Sequence, residues 1–201
     1  MAGTKWDRVS ATTALDNEAG LEELVGQGSA IYMWKRNFVP ASLDRANGER
    51  FLEWMTRVVD LPIGVVESKR ISHFLTLHGI QLSGGISNSK EFDFASILME
   101  APGRKLIERF LRGLADHAPA LYVGESSNLA KRVRQHISES TDFGRFVGSH
   151  KSLGWSDLDL YYHPLSGLSA TSSAEAETKA RRAVEYLAAT VTVAGFTQRP
   201  G

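Results

Sequence analysis

The sequence predicts a small α/β or α+β sandwich that carries a large insertion. Segments with strand-like composition alternate with segments in which apolar residues recur at helical spacing. Apolar residues make up 42% of the 201 residues, which is enough for a packed core. Residues 36–118 lie between two predicted strands and contain predicted helices of their own. This stretch is therefore expected to be a mainly helical insertion into one domain.

The first part of the chain predicts a tail, a short helix, a strand and a longer helix. Residues 1–27 are expected to form an N-terminal tail followed by a short helix from residue 13. Residues 29–34 are short, apolar and rich in strand formers, which predicts a strand. Residues 48–62 carry an amphipathic pattern that Pro62 ends, which predicts a helix. A further strand is expected at residues 63–68.

The second part predicts alternating helices and strands. Residues 83–93 are loop-like, because glycine, serine and asparagine dominate their first half. The elements that follow are predicted as helix, strand, helix, strand and helix over residues 101–117, 120–125, 128–137, 157–165 and 172–190. The first of these helices is expected to face inward with Leu106, Ile107, Phe110, Leu111 and Leu114.

Composition excludes several classes of protein. Lysine plus arginine and aspartate plus glutamate number 23 each, so the chain is not a histone-like polycation, although a local basic face remains open. Cysteine is absent, which excludes disulfides and thiolate zinc sites. The polar N-terminus has no signal-peptide core, and no apolar run reaches membrane-spanning length. A cytoplasmic protein with no membrane partner is therefore expected.

The segment YVGESSNLAKRVRQH, residues 122–136, concentrates the chemistry. Gly124 allows a sharp bend after an apolar strand, and Asn128 is suited to cap the helix that follows. Arg132 and His136 are four residues apart, so they share one helix face. Lys131 and Arg134 point elsewhere and could meet phosphates. A merely solvated basic helix is the alternative interpretation of this spacing.

This segment resembles the second half of the signature of the GIY-YIG nuclease family. The signature positions correspond to Tyr122, Gly124, Asn128, Leu129, Arg132 and His136. The Gly-Ile-Tyr strand of the first half corresponds to Ala30-Ile31-Tyr32, with alanine in place of glycine. Glu185 matches a glutamate on a later helix, and Gln198 stands where many members have asparagine. Glu125 occupies a turn position where some relatives carry a lysine.

The resemblance covers residues 28–34 and 119–201, and it departs from the family in one respect. Tyr32 and Tyr122 are ninety residues apart, whereas typical members separate the two strands by far fewer. The cost of closing a loop rises slowly with its length, so the two strands could still pair. The resemblance implies an α+β nuclease domain over residues 28–201, with a small antiparallel sheet flanked by helices and interrupted by the insertion.

By resemblance, the function is that of a metal-dependent DNA endonuclease of restriction or defence type. Glu185 would hold one Mg²⁺ or Mn²⁺ ion per site, and Arg132 would clamp the scissile phosphate. Tyr122 is favoured as the base that takes the proton of the attacking water, with Tyr32 as its partner, although these roles could be exchanged. A phenol has an ordinary pKa of about 10, so a nearby cation must stabilise the phenolate. His136 would orient a tyrosine or relay the proton.

The expected partner is DNA, and the expected supporting residues are Gly124, Asn128 and Gln198. DNA contacts are predicted for basic residues near the two motif strands and the motif helix, namely Lys131, Arg134, Lys35, Arg36, Arg145 and Lys151. A homodimer is expected if both strands of a palindromic site are cut. The alternative function is a catalytically inactive domain of this type that binds DNA or a protein.

Overall fold

The computed structural model describes residues 6–59, 65–66, 69–70, 76–77, 80–81, 86–150, 153–165 and 174–192. These residues divide into two compact units. The first unit combines the described residues up to Arg36 with residues 119–150 and those from Gly154 onward. The second unit contains the described residues between Asn37 and Ala118, together with Leu153.

Helices and strands alternate along the described residues. The helices are α1 (Ala11–Asp16), α2 (Leu21–Val25), α3 (Ser42–Ala46), α4 (Gly48–Val59), α5 (Asn88–Met99), α6 (Ala101–His117), α7 (Leu129–Ile137), α8 (Asp142–Ser149) and α9 (Ala174–Thr192). The strands are β1 (Asp7–Ser10), β2 (Ala30–Arg36), β3 (Val65–Val66), β4 (Lys69–Arg70), β5 (Thr76–Leu77), β6 (Ile80–Gln81), β7 (Tyr122–Ser126) and β8 (Leu158–Pro164). A single 3-10 turn at Trp155–Asp157 precedes β8.

The first unit is built on a four-stranded antiparallel sheet with the order β1-β8-β2-β7. This arrangement confirms the predicted α+β class. Strand β2 lies inside the sheet and pairs with β7 on one side and β8 on the other. The register aligns Tyr32 with Gly124 on β7 and with Tyr162 on β8. Strands β2 and β7 are thus direct neighbours in the sheet, although they are far apart in sequence.

Strand β2 is buried because aromatic residues cover it. Tyr32 and Trp34 are fully buried although both have polar atoms. The Trp34 ring packs against Phe143 and Trp155, with centroid separations of 6.3 and 5.2 Å. Aromatic contacts of this kind contribute beyond their buried area. The sheet centre is therefore a rigid base for side chains on β2.

The structure differs from the sequence pattern at several elements of the first unit. Strand β1 lies within the predicted tail and pairs with β8, where Arg8 Nε donates to Asp159 Oδ2 at 2.8 Å. The single helix predicted from residue 13 is two short helices, α1 and α2. Helix α8 lies between the predicted helix at 128–137 and the predicted strand at 157–165, where no helix is predicted. Short elements such as these carry too few residues for a clear periodicity.

The second unit has its own apolar core on helices α4 and α5. The buried residues of this core are Phe51, Trp54, Met55, Val58 and Leu98. Helix α6 contributes Ile107 and Leu111, but Leu106, Phe110 and Leu114 are 63%, 62% and 42% exposed, contrary to the prediction that all five face inward. The apolar residues of α6 span a wider arc than one packed face can bury. In the part of the chain that is described, no helix has the length and apolar character needed to cross a bilayer.

Candidate active site

The two motif tyrosines lie side by side on one face of the sheet. Tyr32 is opposite Gly124, and Tyr122 lies two residues from Gly124 on the same strand, so the tyrosines are diagonal neighbours. Their ring centroids are 5.9 Å apart. A Cβ atom at Gly124 would lie 2.7 Å from both Tyr32 Oη and Tyr122 Cε1. Glycine is required here because any side chain would displace the two rings.

Helix α7 directs Arg132 and His136 toward these tyrosines. The Asn128 side chain caps the helix by accepting the Lys131 amide N–H at 2.9 Å, which sets where the helix begins. Arg132 Nε donates to Tyr32 Oη at 3.3 Å, and His136 Nε2 lies 2.8 Å from the same oxygen. The four-residue spacing in the sequence therefore brings both side chains to one phenol.

His136 is held between two hydroxyl groups. Its Nε2 atom meets Tyr32, and its Nδ1 atom lies 2.7 Å from Thr141 Oγ1. The ring is fully buried. Burial, followed by the charge of Arg132, lowers the pKa of His136 from 6.5 to about 3. The imidazole is therefore neutral at physiological pH and offers one donor and one acceptor.

Thr141 was not identified by sequence analysis. It is the N-cap of α8, where its hydroxyl accepts the amide N–H of Gly144 at 3.0 Å. The same hydroxyl bonds His136, so one side chain both begins a helix and fixes an imidazole. A threonine three residues before a glycine is only a weak signal that a helix starts there.

The lowered pKa of His136 predicts a loss of stability in acid. The unfolded chain binds the proton with a pKa near 6.5, whereas the folded chain does so only near pH 3, so the free energy of unfolding decreases as the pH falls through this window. The linkage relation predicts that His136 alone lowers the free energy of unfolding by about 2 kcal/mol between about pH 7 and pH 5. Urea unfolding at both pH values measures it.

Two histidine variants isolate this effect. In His136→Gln the extra pH dependence should disappear, because glutamine does not titrate. In His117→Gln it should remain, because His117 is exposed on α6. An equal pH dependence in the wild type and His136→Gln would show that His136 does not carry the effect.

The environments of the two tyrosines differ. Tyr32 is fully buried, and burial, followed by the proximity of Tyr122, raises its pKa well above 10, against the opposing effect of Arg132. Tyr122 is only partly buried. The Tyr122 ring lies 5.9 Å from the Tyr32 ring and 5.2 Å from the His136 ring, measured between centroids. Tyr32 is therefore a neutral phenol inside the core, whereas Tyr122 has a side that water can reach.

Glu185 extends the cluster from helix α9, which packs on β7. Burial, followed by the charge of Glu125, raises the pKa of Glu185, while Arg132 acts in the opposite direction. Glu185 therefore lies within electrostatic range of Arg132 and next to a second carboxylate.

Glu125 forms an ion pair with Arg181 that the sequence did not predict. Arg181 Nε donates to Glu125 Oε2 at 2.8 Å, and both side chains are largely buried. Helical spacing alone would make Glu185, four residues along α9, a partner for Arg181. The structure instead shows that Arg181 reaches across to β7, a contact that no local spacing reveals.

The predicted DNA-contacting residues have different environments. Lys131 is exposed, whereas Arg134 pairs with Glu22 and Arg145 pairs with Asp142. Lys35 is only 8% exposed, and its ammonium lies 5.2 Å from the centre of the Tyr161 ring. Lys35 is therefore a largely buried cation of the sheet, and its contact with DNA stays a prediction.

Three further predicted residues complete the set. Arg36 ends β2 and is partly buried. Lys151 and Gln198 lie outside the described residues. The described site residues Tyr32, Tyr122, Arg132, His136 and Glu185 belong to one unit, and Gly124 and Asn128 support them there.

Comparison with models of known protein families, with curated proteins and with solved structures finds no match for this chain.

Proposed function

We propose that this protein is a metal-dependent DNA endonuclease of the GIY-YIG type. The observation that carries the proposal is the cluster in which Arg132 and His136 both contact Tyr32, with the tilted Tyr122 ring beside it. These residues are the ones on which the family resemblance rests, and they come from segments ninety residues apart. A group of phenols, a guanidinium and a neutral imidazole suits phosphodiester hydrolysis, which needs a base and a cationic clamp.

Arg132 is the natural ligand for the scissile phosphate. Its guanidinium can donate in parallel to two phosphate oxygens, which a planar fork of donors allows and an ammonium does not. Gln135 accepts from Arg132 Nη1 at 3.2 Å, and Tyr32 accepts from Nε, so the side chain is held before substrate arrives. The positive charge would stabilise the additional negative charge that develops as the phosphodiester bond breaks.

Tyr122 is the better candidate for the base. Proton transfer requires the attacking water to reach the phenol oxygen, and Tyr32 is fully buried whereas Tyr122 is not. Arg132 lies within electrostatic range of Tyr122, so its charge would favour a phenolate there. With a pKa of about 3, His136 is a weak proton acceptor, so its role is to orient Tyr32. Tyr32 in turn would hold the Tyr122 ring in place through their ring contact.

The donor set at Glu185 fits a hard divalent cation. Two carboxylates, Glu185 and Glu125, are close enough for their charges to interact, and a bound cation would relieve that repulsion. Among the described residues no group of three or more histidine or carboxylate side chains could hold a metal. Glu185 would therefore hold Mg²⁺ or Mn²⁺ with water and phosphate oxygens as the other ligands. The ion would supply charge stabilisation at the phosphate.

Metal-dependent cleavage tests the proposal directly. Purified protein should convert supercoiled plasmid DNA to nicked or linear forms with Mg²⁺ or Mn²⁺ and should not do so with EDTA. A panel of plasmids and branched DNA substrates covers unknown recognition sequences. DNA binding without cleavage on any substrate would support the inactive binding module instead and would contradict the proposal.

The assignment of the base predicts different effects of two phenylalanine variants. Tyr122→Phe should lower the single-turnover cleavage rate by about a hundredfold, because it removes the proton acceptor. Tyr32→Phe should lower the rate less and reduce thermal stability more, because it leaves Arg132 Nε without its acceptor and the buried His136 Nε2 without its hydrogen-bond partner. A larger rate loss in a folded Tyr32→Phe protein would reverse the two roles.

A further inference from the structure

A polar cavity opens beside the catalytic cluster at the start of helix α7. Its volume is about 360 Å³, which lies within the range of small-ligand pockets. Three cations, Lys131, Arg132 and Arg181, line it together with one carboxylate, Glu125. The remaining lining side chains are neutral and polar, and include Asn128. In a chain with no net charge, this is a local excess of positive charge around a space of ligand size.

Arg181 is the most constrained of the three cations. Its side chain is 11% exposed, and Glu125 accepts from its Nε atom at 2.8 Å. Thr178 Oγ1 accepts from Nη2 at 3.3 Å. A guanidinium that is already held in one orientation loses little conformational entropy when it binds an anion. These contacts place a fixed positive group in the cavity wall rather than a freely moving surface arginine.

Arg132 belongs to both the cavity and the catalytic cluster. It lines the cavity, and it also donates to Tyr32. A DNA strand whose scissile phosphate is bound by Arg132 must therefore pass close to the cavity. Successive phosphates of one strand are regularly spaced, so the next phosphate requires a cationic site nearby.

We propose that this cavity binds the phosphate adjacent to the scissile phosphate, with Arg181 and Lys131 as its charged ligands. The assignment rests on the proposed nuclease function, because that function gives the strand its position at Arg132. Phosphate oxygens accept from guanidinium and ammonium donors, and Arg181 and Lys131 supply these donors at the cavity wall. Arg181 is thereby a substrate-positioning residue.

Binding measurements in EDTA test this site without cleavage. The anisotropy of a fluorescein-labelled DNA duplex of mixed sequence should be recorded over a series of KCl concentrations. For Arg181→Gln we expect Kd to rise about three- to tenfold and the slope of log Kd against log salt to fall by about one. Lys131→Gln should change Kd and the salt slope in the same way. Because the Lys131 side chain is exposed, this substitution tests binding without disturbing the packed core.

Lys179→Gln is the matched control. Lys179 lies on the same helix two residues from Arg181, is 76% exposed and pairs with Glu175. This variant should keep the wild-type Kd and salt slope. Unchanged DNA binding in both Arg181→Gln and Lys131→Gln would overturn the inference, as would an absence of DNA binding by the wild type.

A free deoxynucleoside monophosphate distinguishes a DNA site from a nucleotide site. Competition by the monophosphate that depends on Arg181, while duplex binding does not, would overturn the assignment to DNA. If the wild type binds DNA through Arg181 but never cleaves it, the nuclease proposal fails and the phosphate site remains. In an active enzyme, Arg181→Gln should raise KM more than it lowers kcat.

Discussion

Replacing Arg132 by alanine should lower the single-turnover rate of DNA cleavage by about a thousandfold. Arg132 donates to Tyr32 and lines the cavity that we propose binds phosphate, so its loss would remove the proposed clamp on the scissile phosphate. It also removes the positive charge that would stabilise the Tyr122 phenolate. The rate should be measured with saturating enzyme, so that weaker DNA binding does not hide the chemical step.

Two further variants show whether the effect belongs to the guanidinium. Arg132→Lys keeps a positive charge but loses the planar fork, and it should restore only a small part of the rate. Lys179→Ala removes an exposed cation on α9 and should cleave DNA at the wild-type rate. Cleavage that persists in a folded Arg132→Ala protein would remove this residue from the catalytic site.

Replacing Glu185 by glutamine should abolish the response of cleavage to metal. The change removes one negative charge while keeping the size of the side chain, and the proposed cation would lose its protein ligand. We expect a loss of about a thousandfold at saturating Mg²⁺. The raised pKa of Glu185 also predicts that cleavage declines on the acid side, because the protonated carboxyl cannot bind a cation.

Glu185→Asp and Glu175→Gln complete this test. Aspartate keeps the charge on a shorter side chain, so it should retain part of the activity and require more metal. Glu175 is 77% exposed on the same helix and pairs with Lys179, so Glu175→Gln should be fully active. Loss of metal dependence in Glu175→Gln but not in Glu185→Gln would show that Glu175, and not Glu185, binds the metal.

The local part of the candidate site was predictable from sequence. Asn128 indicated a helix cap, and the structure shows the cap bond from Lys131 to Asn128, whereas Gly124, expected at a bend, lies within strand β7. The interval between Arg132 and His136 predicted one shared face, and both side chains contact Tyr32. These features depend on backbone geometry within a few residues, which the residue types themselves largely specify.

Contacts between distant segments were not predictable in the same way. The Arg181–Glu125 ion pair joins α9 to β7, and Thr141 reaches His136 from the cap of α8. Strand β1 joins the sheet through β8, although its four residues showed no strand pattern. Each contact depends on how complete elements pack, and local spacing carries no information about that packing.

The chain by itself determined the α+β class and the arrangement of charge on helix α7. Only the tertiary structure decided that Tyr32 lies beside Tyr122 and that their environments differ. Pairing of β2 with β7 closes an excursion of about ninety residues. Because the cost of closing a loop rises only slowly with its length, the separation of the two strands in sequence neither favours nor excludes this pairing. Burial then makes two chemically identical phenols behave differently, because desolvation depends on the surrounding core and not on the residue type.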